Sequence, residues 1–87
     1  MKYEKLFEKG RIGRIELRNR VVMTAMGVML GDWNGCATPE YARFYEERAK
    51  GGCGLIIPEF TSVDPDSGHC NRIQLGIYDA RQIRSME

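Results

Sequence analysis

"TPEYARFYEERAKGGCGLII", residues 38–57, decides the fold. Thr38 is a natural N-cap and Pro39 suits the first helical position, where a missing N–H costs nothing. Tyr41, Phe44, Tyr45, Arg48 and Ala49 then recur at helical spacing. Glu40, Arg43, Glu46, Glu47 and Lys50 fall on the opposite side, with Glu46 and Lys50 placed as a favourable i,i+4 pair. Gly51 and Gly52 end the pattern, and the short apolar run that follows, "GLIIPEF" at 54–60, predicts a buried strand.

Upstream, "NRVVMTAMG" at 19–27 predicts a first strand over 20–26, whose apolar core Val21-Val22-Met23 gives way to Thr24, Ala25, Met26 and Gly27. A glycine-punctuated loop, "GVMLGDWNGCA", separates it from the helix. Two strands joined by a helix make a β-α-β unit, with parallel strands and a right-handed crossover. Neither strand alternates cleanly between polar and apolar residues, as expected when both sheet faces are covered. Ahead of this unit, "RIGRIELR" at 11–18 predicts a small hairpin turning at Gly13. Behind it, 61–78 reads as a long loop, and "DARQIRSME" starts a helix with Asp79 and Gln82 in a capping-box pattern. That helix should return to a third parallel strand, and none follows. A two-stranded parallel sheet has two open edges and little apolar cover. The expectation is therefore the first quarter or so of something larger, one α/β domain with residues 1–87 as its N-terminal part.

The totals exclude several classes. The 87 residues are 43% apolar and 29% charged, with a net charge of +1, so nothing draws the chain to nucleic acid or an anionic membrane. There is no apolar run of membrane-spanning length and no apolar signal segment at the start, which predicts a cytoplasmic location. Cys36, Cys53 and Cys70 are odd in number and unpaired in spacing, against a disulfide framework or a metal site. "GRIG" at 10–13 matches an RNA-binding GXXG loop, but its flanks read as strands rather than helices. "GDWNG" lacks the lysine of a phosphate-binding loop.

Three longer stretches carry a family resemblance: "LF…IG.IELRNRVVM.AMG", then "NGCATPEYARFYEERAKGGCGLIIPEFTSVDPDSG", then "NRIQLGIYD". Together they span nearly the whole chain and resemble the N-terminus of the Old Yellow Enzyme family. The likeness is greatest to its NADH:flavin oxidoreductase branch, with 2,4-dienoyl-CoA reductase and enoate reductases. The resemblance implies a TIM (β/α)8 barrel, here incomplete, with FMN at the C-terminal ends of its strands. It implies hydride passing from NAD(P)H through FMN to an activated alkene of the enoate, enone or enoyl-thioester type. By the same likeness Thr24, Ala25, Met26 and Gly27 close the first strand against the flavin, and Glu59 and Phe60 close the second. The general acid, the anion-holding residues, the FMN phosphate site and any iron–sulfur cluster would come from beyond Glu87, so the chain alone should not turn over.

This sequence departs from the family pattern at four places. Ala25 stands where proline is commoner, Gly27 where cysteine or threonine often tunes the flavin, Phe60 where a small residue is usual, and Gly68-His69 where Gly-Arg is usual. Met26 still offers a flexible apolar surface, Thr24 a hydroxyl, and Gly27 room for close approach. Several residues admit two readings. Thr24 either meets a flavin or satisfies a strand end, and Glu59 is either catalytic or a buried structural acceptor. Trp33 is either a substrate wall or a loop anchor, and His69 reads as a solvated loop residue. The expected partners are the remainder of a parent barrel, or another copy through open sheet edges. The alternative is a stand-alone β-α-β interaction module without catalysis.

Overall fold

The computed structural model describes residues 2–69 and 73–87. In chain order it contains a one-turn helix α1 (Glu4–Phe7), strands β1 (Gly10–Ile12), β2 (Ile15–Leu17) and β3 (Val22–Met23), helix α2 (Pro39–Lys50), strand β4 (Leu55–Ile56) and helix α3 (Ala80–Ser85). β1 and β2 form the expected hairpin, antiparallel with Arg11 opposite Glu16. Gly13 turns it at φ 58, a left-handed conformation that a side chain resists. Leu17 is the hairpin's buried residue, while Ile12 and Ile15 stay exposed. The helix α1 has no counterpart in the sequence reading.

β3 and β4 pair in parallel, Val22 with Leu55 and Met23 with Ile56, and α2 packs on β4 as the crossover. Both strands are far shorter than the apolar runs 20–26 and 54–60 that predict them. The cause is visible in the donors. Leu55 N–H donates to Val21 O at 3.2 Å and Ile57 N–H to Met23 O at 2.9 Å. The same register would carry the Glu59 N–H to Ala25 O. That N–H instead donates to the Tyr45 hydroxyl at 2.8 Å, a group on the face of α2. The ladder thus ends at Met23, and residues 24–27 leave the sheet.

The expectation that both sheet faces are covered does not hold among the described residues. Val21, Val22 and Ile57 are exposed, and Met23, Leu55 and Ile56 are half-buried. On α2, Tyr41 is buried and Phe44 and Tyr45 are half-buried. Arg48 lies over the Phe44 ring at 3.7 Å rather than entering the core. Thr38 caps α2 as its sequence suggests, accepting from Tyr41 N–H at 3.2 Å and donating to Leu30 O.

The N-terminal rim of the parallel pair explains the motif "LRNR". The Arg18 guanidinium donates to the carbonyl of Ala49 in the last turn of α2 and to that of Cys53 just beyond the helix. Asn19 donates to Gly52 O at 2.6 Å and accepts from Val21 N–H at 3.0 Å, joining helix end to strand start. Arg20 N–H donates to Leu6 O at 2.9 Å, which seats α1.

The stretch 61–78 is more ordered than a loop. Ser62 bridges Gly76 in parallel, with Ser62 N–H donating to Leu75 O at 2.8 Å and Ile77 N–H to Ser62 O at 2.9 Å. Leu75 is the most deeply buried apolar residue described. Asp79 and Gln82 form the expected capping box of α3. The Arg81 side chain hydrogen-bonded to Asp79 holds that carboxyl below its ordinary range. Gln82 does more than cap: its amide also donates to Asn34 O at 2.7 Å, pinning the loop after β3 to α3. Cys36 and Cys53 are free thiols, and Cys70, with Asn71 and Arg72 of the third motif, lies outside the described residues. No helix among the described residues is long and apolar enough to cross a membrane.

Candidate functional site

Because β3 and β4 run in parallel, the segments after them, Thr24–Gly27 and Pro58–Phe60, emerge at one rim. Thr24, Ala25 and Met26 are exposed and Gly27 is half-buried. None of the hydrogen bonds formed among the described residues engages Thr24, Ala25, Met26 or Gly27. Met26 is 52% exposed and Phe60 38%, two apolar surfaces on the same rim. A planar ring with polar edges needs both kinds of contact, so the residues present fit a flavin.

Behind this rim sits Glu59, 3% exposed. One of its carboxylate oxygens accepts from Val28 N–H at 3.0 Å and the other from Leu75 N–H at 3.3 Å. The two readings of Glu59 are thereby separated: its oxygens serve the protein's backbone. Of the pair that closes the second strand, Glu59 is buried and Phe60 is 38% exposed. Tyr41 lies one helical turn from Tyr45, with ring centroids 4.9 Å apart. Burial pushes the Tyr41 phenol well above its ordinary range, with the neighbouring Tyr45 and Glu59 adding to the effect.

Two other sequence candidates are exposed. Trp33 is 72% exposed on a turn organised by Asp32, whose carboxylate accepts from Asn34 N–H at 2.8 Å and Cys36 N–H at 2.9 Å. His69 is exposed, with its ring 6.3 Å from that of Tyr78. The residues missed by sequence reasoning are Val28 and Leu75, which shape the rim through backbone N–H groups that leave no sequence signature, and Tyr45, whose side-chain hydroxyl takes the Glu59 N–H. A concavity of about 780 Å³ also opens between α2, β4 and α3. Its lining includes Tyr41, Ala49, Ile56, Leu75 and Met86, a largely apolar packing surface.

Residues 5–87 match the profile of the NADH:flavin oxidoreductase / NADH oxidase family. The NADH oxidase of Thermoanaerobacter brockii is 39% identical over 81 residues, which are 93% of this chain and 12% of that protein. The NADPH dehydrogenase of Listeria welshimeri is 32% identical over 84 residues, covering 95% of this chain and 25% of that one. Among solved structures, the old yellow enzyme from Trypanosoma cruzi superposes with a TM-score of 0.82 at 32% identity, covering 93% of this chain and 21% of that one. The chain thus spans a quarter or less of these relatives. Such structural neighbours are TIM barrels, and this chain corresponds to part of one. With nearly its whole length inside the profile, the chain belongs to the NADH:flavin oxidoreductase / NADH oxidase family.

Proposed function

We propose that this chain supplies the first flavin-facing wall of an FMN-dependent oxidoreductase of the 2,4-dienoyl-CoA reductase and enoate reductase type. The observation that carries the proposal is the span Thr24–Gly27. It leaves a parallel strand at the C-terminal rim with its polar groups uncommitted, in a chain of flavin-enzyme lineage. When bound, FMN would relay a hydride from NAD(P)H to an activated alkene, and that chemistry belongs to the cofactor. The protein's share here is placement. Met26 and Phe60 offer apolar faces, Thr24 a hydroxyl, and the main chain of Ala25 and Gly27 donors and acceptors for the ring's edge. Gly27 carries no side chain, so the flavin would not be tuned from that position. The exposed apolar surface of β3, β4 and α2 fits cover by further strands of the same barrel. A stand-alone interaction module is the weaker reading, since the relatives are much longer enzymes. A cytoplasmic setting accords with two free thiols and a nicotinamide donor.

Titrating FMN into the chain and following flavin fluorescence tests this. The expected result is saturable quenching, weakened at least about tenfold by Met26→Asp, which sets a charge against the ring. No NADH consumption should accompany it, because the family resemblance places the anion-holding residues, the FMN phosphate site and the general acid on later strands. Quenching that Met26→Asp leaves unchanged, or none at all, would count against the site. NADH oxidation by the chain alone would show that the missing groups are not needed.

A further inference from the structure

We propose that Glu59 is a positioning residue: by tying down Val28 and Leu75 it holds the Thr24–Gly27 span in the shape that receives the flavin. The inference rests on the flavin reading and extends it to a residue that would not touch the ring.

The span hangs between two fixed points. At one end Met23 O accepts the last ladder bond, from Ile57 N–H at 2.9 Å. At the other, Val28 N–H donates to Glu59. Between them lie four residues without a hydrogen bond among the described residues, so the placing of Val28 sets how far the span bows from the rim. The next residue, Met29, sits at φ 55, a left-handed conformation costly for a residue with a side chain. Such conformations persist where the surroundings over-determine them. Here Glu59 pins the residue before Met29, and Thr38 Oγ1 pins the carbonyl of Leu30 after it.

Glu59 is itself fixed at every polar atom. Its N–H donates to the Tyr45 hydroxyl, its carbonyl accepts from Thr61 Oγ1 at 3.0 Å, and each carboxylate oxygen takes one backbone N–H. At 3% exposure water has no access to replace a lost partner. One side chain thus joins three segments at the rim: the end of β4, the loop after β3, and the Ser62–Gly76 bridge through Leu75.

Two measurements on the whole chain test the proposal, with Glu59→Gln as the variant. Glutamine keeps one oxygen acceptor but turns an NH2 toward the second N–H. In amide hydrogen exchange without flavin, Val28 and Leu75 should exchange at least about tenfold more slowly than Ala25, Met26 and Gly27, and Glu59→Gln should release one of the pair. In FMN titrations the variant should bind about tenfold more weakly and alter the circular dichroism of the bound flavin, while its far-UV spectrum keeps the α2 signal. Unchanged FMN affinity and flavin signal in a folded variant would overturn the proposal and leave the flavin reading standing. If the variant does not fold, wild-type exchange decides: a Val28 amide as fast as Met26 overturns the clamp, and a slow one upholds it. If wild type binds no FMN, the flavin reading fails separately, and the same exchange pattern decides whether Glu59 holds the span.

Discussion

Gly54→Ala should destroy the parallel pair. An added Cβ would stand 2.3 Å from Asn19 Oδ1 and 2.7 Å from Asn19 O. Rotating the Asn19 side chain relieves only the first contact, and at the cost of its bonds to Gly52 O and Val21 N–H. The second contact is with backbone, so β3 or the α2–β4 connection must move. Gly54 N–H itself donates to Val21 O at 3.0 Å, at the start of the ladder. Overpacking of this kind costs about 3 kcal/mol or more when backbone must yield. A chain of 87 residues has in all roughly 4–13 kcal/mol. Urea unfolding followed by far-UV circular dichroism should show the midpoint collapsing, whereas a midpoint within experimental error of wild type would mean that the approach of Gly54 to Asn19 is not tight.

Leu75→Ala ranks second. Leu75 is 1% exposed. A Cβ built on Gly31 would meet Leu75 Cδ2 at 3.0 Å, so the side chain packs directly against the loop after β3. Its main chain is shared between Glu59 and Ser62. Truncation removes apolar contacts and leaves a cavity that these backbone bonds hold open, a loss of about 2–5 kcal/mol. The same urea titration measures it. Val63→Ala, at a side chain 73% exposed, serves as the comparison and should shift the midpoint little.

Why some features were legible and others not follows from the range of the interactions. Helix α2 was readable from end to end, because Thr38, Pro39 and the Gly51-Gly52 pair act on their immediate neighbours. The Asp79–Gln82 capping box was readable for the same reason. The second bond of Gln82, to Asn34, spans 48 residues and left no trace in the pattern. Arg18 and Asn19 formed a recognisable word whose purpose, closing the far end of α2, appeared only in three dimensions. The strands were over-read because apolar content marks a segment able to pair, and pairing also needs a donor. Tyr45 takes the Glu59 N–H that would have lengthened the ladder. That diversion leaves the Ala25 carbonyl without its ladder donor, so the shortened strand and the candidate site meet at one contact. The site residues Thr24, Ala25, Met26, Gly27 and Phe60 came from family likeness. The chain geometry adds that the two segments share a rim and that Glu59 links them from behind.

On the proposed reading a flavin rests on this rim, at the C-terminal edge of β3 and β4. Amide chemical shifts of the 15N-labelled chain during an FMN titration test it most directly. Saturable shifts are expected at Thr24–Gly27 and Phe60, with Arg18–Arg20 and Lys50–Cys53 at the opposite rim unmoved. Shifts gathered at that opposite rim, or along the concavity between α2 and α3, would contradict it.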